Sequence, residues 1–168
     1  MTKEIAIISY LVNKIGDLYQ TKLYKLLFYI DFLYYKNNEQ SLTWTIYYKL
    51  PYWPVPLSIK TKIDYLIGSY KKEMSNKDLD KDLLLYEQYL TIVKKWENFW
   101  KYKVTAKKKI DIKKVLWEKE LSIVDSVIDK LWDYSVKKIV DFSHKEKAYE
   151  ETKMFQPIFY WLSHSLNI

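Results

Sequence analysis

The stretch "DFSHKEKAYEET" (Asp141 to Thr152) sets His144 beside Glu146, Glu150 and Glu151, with Tyr149 between them. A histidine among carboxylates could act as a general base or ligate a metal through its neutral imidazole. Metal sites need three or four convergent ligands, however, and the second of the two histidines, His164, falls in a different element. Cysteine is absent, which removes thiolate nucleophiles, zinc knuckles, iron–sulfur clusters and disulfide frameworks. With two glycines in the chain there is little material for a phosphate cradle, and neither a P-loop nor a nucleophile elbow is present. The chain therefore reads as a non-enzyme with no cofactor and no metal. His144 is better read as architecture. It follows an apolar helical run, where an imidazole can satisfy free carbonyls and meet the negative end of the helix dipole, while Tyr149 folds back onto the core.

A second stretch, "LTWTIYYKLPYW" (42–53), could supply binding chemistry. Stiff aromatic side chains make good interface anchors, and an edge strand cannot bury both faces, so Tyr47, Tyr52 and Trp53 are the expected partner-binding residues. Lys107 to Lys109 read as a solvated edge that resists aggregation. All 28 basic residues are lysine and the net charge is +7, which could steer the chain toward nucleic acid. Specific base reading leans on the arginine fork, which lysine cannot reproduce, so nucleic acid is not expected as the main partner. Some of the aromatic content reflects the codon choice of an AT-rich genome.

These residues must be carried by a single domain, 1–168, since 168 residues bury one sizeable core. No apolar run approaches the roughly 18 residues of a membrane span. The N-terminus carries Glu4 and has no small-residue cleavage site, so it does not read as a signal peptide. A cytoplasmic, membrane-free location is expected. Ile5, Ile8, Val12 and Ile15 keep helical spacing, with Gly16 as C-cap. Leu23, Leu26, Leu27, Ile30, Leu33 and Tyr34 form the wide stripe of a central helix that stops at Asn37 and Asn38. Leu42, Trp44, Ile46, Tyr48 and Leu50 then alternate with Thr43, Thr45, Tyr47 and Lys49, as in a half-buried strand.

The prolines of "LPYWPVP" close that strand. A helix from Ser58 through Met74 follows, then "SNKD", then a long helix from Leu79 through Trp100. "YKVTAKKKIDIKK" reads as an extended or edge segment that could pair near the first strand. Leu121, Val124, Ile128 and Leu131 mark another helix, and Ser135 caps a shorter one through Val136, Ile139 and Val140. Pro157 suits the first position of a final helix. The expected class is mainly α: a compact helical bundle with a small antiparallel β-hairpin or edge strand pair.

Several motifs in this order resemble those of the Panacea domain family of SocA-like and phage-associated antitoxins. The family's Lys-Leu-x-Lys-Leu helix is matched by Lys22, Leu23, Lys25 and Leu26. Its Gly-Pro-Val-Pro turn is matched by Pro54, Val55 and Pro56, with Trp53 in place of glycine. Its Leu-Ser-x-x-Glu-Leu helix start corresponds to "LWEKEL", where Trp117 replaces serine and Glu120 and Leu121 are retained. Its closing Ser-His and tryptophan correspond to Ser143, His144 and Tyr149, with tyrosine substituting. The resemblance implies a prophage-type toxin–antitoxin system in which this chain neutralises a cognate protein toxin by direct protein–protein binding. Two alternatives stay open: a proteolytic adaptor that delivers the toxin to an ATP-dependent protease, and a nucleic-acid-binding regulator.

Overall fold

A computed structural model describes residues 1–16, 18–51, 53–68, 81–97 and 99–168. The fold is mainly α with minor β, as expected. Helix α1 (Lys3–Ile15) begins where the Thr2 hydroxyl accepts the Ile5 N–H and ends at Gly16, whose φ of 78° suits a residue without Cβ. Helix α2 (Gln20–Asn38) is buried on nearly every side from Lys22 to Phe32. A helix buried all round sits in the middle of a core, and α2 packs against the helices at Glu118–Leu131 and Val136–His144, the strand Trp53–Pro56 and the C-terminal turn. Phe28, Phe32, Tyr47 and Tyr160 meet around it in tilted and edge-to-face pairs, each adding about 0.5–1.5 kcal/mol beyond its buried area. Helix α5 (Glu118–Leu131) sends Val124, Val127, Ile128 and Leu131 into this core. Helix α6 (Val136–His144) starts at Ser135, whose Oγ accepts the Lys138 N–H at 3.1 Å.

Elsewhere the structure departs from the sequence reading. The strand expected from Leu42 is shorter, β2 (Tyr47–Leu50), and residues 41–46 are irregular. Its parity is also reversed: Leu42, Thr45 and Tyr47 are buried, whereas Trp44 and Ile46 face outward. Trp44 lies in the left-handed region at φ 61°, which interrupts the pleat and shifts every side chain after it to the other face. The prolines do not close the sheet but build it. Strand β3 (Trp53–Pro56) pairs antiparallel with β2, Lys49 opposite Pro54 and Tyr47 opposite Pro56. Prolines two residues apart direct their missing donors to the same side, and β3 is an edge strand, so that side needs no partner.

Helix α3 (Leu57–Ile67) stops at Gly68, φ 90°; its expected continuation through Tyr70 and Met74, and the "SNKD" break, lie outside the described residues. The long helix expected from Leu79 to Trp100 is instead a short α4 (Lys81–Tyr89) followed by a hairpin, β4 (Leu90–Glu97) and β5 (Phe99–Ala106), paired from Leu90–Ala106 to Glu97–Phe99. Tyr86, Leu90 and Val93 keep helical spacing, but Thr91, Ile92 and Val93 are β-branched and find a second β-rich strand beside them. β5 is consequently the middle strand of a sheet, flanked by β4 and by β1 (Leu18–Tyr19), rather than an edge near the first predicted strand.

Lys107 to Lys109 are exposed after β5, and Lys107 donates from Nζ to the Glu87 carbonyl at 2.6 Å. The "KIDIKK" tail of the predicted extended segment contains a single 3-10 turn at Ile112–Lys114. The final helix expected at Pro157 is also replaced: β6 (Pro157–Ile158) adds to β2, and a 3-10 turn covers Tyr160–Ser165. Between α6 and β6, a one-turn helix α7 (Lys147–Glu150) carries Tyr149.

Candidate functional site

Asp31 interrupts the apolar run "LLFYIDFLYY" of α2, and a carboxylate there must find donors or pay heavily in desolvation. It finds three. The Thr43 N–H reaches Oδ1 at 2.9 Å, and Oδ2 accepts the Thr43 hydroxyl at 2.5 Å and the Tyr47 hydroxyl at 2.7 Å. Burial pushes the Asp31 carboxyl up to about 6, opposed by the bonds from Thr43 and Tyr47 and reinforced by the negative charge of Glu4. Burial likewise drives the Tyr47 phenol well above its ordinary value, with Asp31 adding to the effect. The remaining bonds of the 41–46 loop follow the same plan. The Ser41 Oγ accepts the Trp44 N–H at 2.8 Å, and the Tyr160 hydroxyl donates to the Thr45 carbonyl.

This inward network decides what points outward. Thr45 and Tyr160 are joined, and the residues flanking them on both segments are exposed: Trp44 at 77%, Ile46 at 56%, Phe159 at 57% and Trp161 at 59%. Trp44 is the most exposed large apolar side chain among the described residues. Extending the β2–β6 register by one position sets Ile46 opposite Phe159. A cleft of about 330 Å³ opens beside Phe159 and Trp161, and another of about 370 Å³ lies beside Trp44, with Glu4 and Glu120 in its wall. Isolated exposed apolar residues are normal, but here four large ones sit on the two segments that one hydrogen bond joins, and side chains of this kind serve as anchors in protein recognition.

The predicted partner-binding residues fare differently. Tyr47 is wholly buried, its ring against Phe28 and Phe32 and its hydroxyl on Asp31, so the expectation that it is exposed is corrected. The cause is the reversed parity of the strand. Tyr52 lies outside the described residues, and Trp53 enters only as backbone of β3. Asp31, Trp44, Ile46, Phe159 and Trp161 went unselected. A lone carboxylate inside an apolar helix was a usable signal for Asp31; the exposure of the other four depends on register and carries no such mark.

The motif residues are structural in their contacts. Lys22 reaches the Trp132 carbonyl at the end of α5, while Leu23 and Leu26 are core. Lys25 is fully buried, and desolvation holds its ammonium well below the ordinary lysine range. Pro54, Val55 and Pro56 are buried in β3. Glu120 returns its carboxylate to the Trp117 N–H at 2.9 Å and pairs with Lys3 at 2.6 Å. The indole of Trp117 has no acceptor, so Glu120 supplies the half of a capping box that tryptophan leaves possible. Leu121 packs half-buried against the core.

In the closing motif, Ser143 is buried and its hydroxyl donates to the Val140 carbonyl at 2.9 Å. The His144 ring stacks on Tyr149 at 4.4 Å and 7°, and the Tyr149 hydroxyl donates to the Leu50 carbonyl at 3.0 Å. Lys49 sits 4.4 Å over the same tyrosine ring. Of the carboxylates near His144, Glu146 is directed elsewhere: it is buried and accepts from the Tyr29 hydroxyl at 3.2 Å and from the Asn167 backbone and side-chain nitrogens at 3.0 and 3.1 Å. Burial raises its carboxyl, while those bonds pull it down.

Among the described residues no helix is long and apolar enough to cross a membrane. No curated protein and no solved structure shows significant similarity to the chain. A family model, described as antitoxin SocA-like, Panacea domain, matches residues 23–150. The match contains Asp31, Trp44, Tyr47 and Tyr149, begins one residue after Lys22, and ends before β6 and the C-terminal turn. With 128 of 168 residues inside that match, the chain belongs to the SocA-like antitoxin, Panacea domain family.

Proposed function

We propose that this chain neutralises a cognate protein toxin by direct contact, catalysing no reaction of its own, and that the surface around Trp44, Ile46, Phe159 and Trp161 makes the contact. Membership of an antitoxin family supports a protein partner. The observation that carries the choice of surface is the exposure of these four side chains around the Thr45–Tyr160 bond. The net charge of +7 favours a toxin with an acidic surface, because complementary charge speeds association.

Co-expression with the product of the adjacent open reading frame, followed by size exclusion, tests the reading. A stable complex and restored growth are expected; a neighbour that is harmless alone, or toxic and unbound in the presence of this chain, refutes it. Trp44→Ala should weaken the complex by about 1–3 kcal/mol while moving stability by less than about 0.5 kcal/mol, since the indole is exposed in the free protein. Unchanged affinity would place the contact elsewhere.

A further inference from the structure

We infer that Asp31 is the positioning residue of the Trp44 surface: from inside α2 it holds the 41–46 loop in the conformation that displays Trp44 and Ile46. The inference rests on the toxin-binding reading only for its consequence in affinity. Its structural content stands on the bonds themselves.

A buried carboxylate is an expensive way to fill a core position that leucine could fill, because desolvation opposes its charge. Core cohesion does not require it here. Phe28, Phe32 and Tyr47 already pack ring on ring at this level of α2. The three close bonds that Asp31 accepts come from Thr43 and Tyr47, which bracket Trp44, Thr45 and Ile46, and the Tyr160 hydroxyl also faces the carboxylate. Two of them fix a single residue, Thr43, by its backbone and its side chain together. With Thr43 held at one end, Tyr47 at the other and Thr45 tied to Tyr160, the residues between have one arrangement left: Thr45 inward, Trp44 and Ile46 outward.

That arrangement includes a tryptophan at φ 61°, a region a bulky residue enters only when its surroundings impose it. Glu4 of α1 approaches the same network, taking the Thr45 hydroxyl at 3.3 Å. Its charge is met by Lys62 of α3 at 3.1 Å and by the Tyr86 hydroxyl of α4, with Asp82 also near Lys62. Asp31 is therefore the one carboxylate of the group whose bonds both go to the loop and leave no lysine to share them among the contacts described.

Three variants test the assignment by hydrogen exchange of the free chain and by affinity for the adjacent gene product. In Asp31→Ala, amides 43–47 should lose protection about tenfold or more while those of α5 keep theirs, as for a local opening, and affinity should fall with them. Asp31→Asn should restore most of both. Its carbonyl can take the Thr43 N–H, and the two hydroxyls can rotate to accept from its amide. Thr43→Val should give a smaller loosening confined to the same amides.

A folded Asp31→Ala with unchanged loop protection overturns the inference; a loosened loop with undiminished affinity upholds the positioning role and refutes the Trp44 surface as the toxin contact. If Asp31→Ala fails to fold, Thr43→Val decides: unchanged exchange at Trp44 and Thr45 overturns the inference, and local loosening upholds it. A wild-type chain that does not bind the neighbouring product defeats the toxin-binding reading, and the exchange results still judge Asp31.

Discussion

Asp31 and Glu146 are two carboxylates buried in the same core, each taking a tyrosine hydroxyl, yet they hold very different segments. Asp31 binds Thr43 and Tyr47 and so shapes a loop that presents Trp44 to solvent. Glu146 binds Tyr29 of α2 and both nitrogens of Asn167, and so ties the last residues of the chain to the central helix. The chemistry of the two networks is alike, a costly buried charge offset by donors. What separates the support of an exposed loop from a clamp on the terminus is the segment at the far end of the bonds.

The contrast has measurable consequences. The largest belongs to the clamp. Glu146→Ala should destabilise the fold by about 2–4 kcal/mol, because it strands the Tyr29 hydroxyl and the Asn167 N–H groups. Denaturant unfolding measures this, and the affinity of the remaining folded protein for its partner should be unchanged. A loss of affinity beyond the loss of folded protein would erase the distinction between the two sites.

The next effect is on pH. The folded Asp31 carboxyl stands at about 6, above its ordinary value of 3.8, chiefly through burial. A raised carboxyl means the fold prefers the protonated form. Its contribution to stability is therefore full below the ordinary carboxylate range and is lost as pH rises through about 6. Going from pH 7 to pH 5, wild type should gain about 1 kcal/mol relative to Asp31→Asn, which has no proton to take up there. Chemical denaturation of both proteins at the two pH values checks the sign, and parallel pH profiles would show that Asp31 does not titrate in this window.

The smallest effect separates architecture from chemistry in the closing motif. His144→Ala removes a stacked ring from Tyr149 and should cost about 0.5–1.5 kcal/mol of stability. Toxin neutralisation should fall only with the folded fraction. A fully stable variant that had lost neutralisation would make His144 a contact residue instead.

Much of the helical frame is legible in the sequence. The stripes of α1, α2, α5 and the start of α6, with Gly16 and Ser135 as caps, follow from spacings of three and four residues that a helix satisfies within itself. The β segments were not legible in the same way. Residues 90–97 carry helical spacing and β-branched side chains at once, and the tie is broken by β5, which lies beyond them in sequence. Pro157 suits the start of a helix, but β2 offers Ile158 a partner strand more than a hundred residues away in sequence. The candidate surface was missed for a related reason. Alternation marks two faces of a strand without saying which is buried, and a single left-handed residue, Trp44, inverts the answer.

The sequence by itself determined the central helix, the caps, the absence of thiol chemistry and, through the order of its motifs, the antitoxin family. Each of these depends on residues near one another in the chain or on composition alone. Tertiary structure decided that Tyr47 is core and Trp44 is surface, that Asp31 bonds a loop and Glu146 a terminus, and that the exposed pairs Trp44 and Ile46, Phe159 and Trp161 flank the two residues joined by the Thr45–Tyr160 bond. Exposure is a property of packing: a side chain is hidden only when another part of the chain covers it, and the segments that meet here lie more than a hundred residues apart in the sequence.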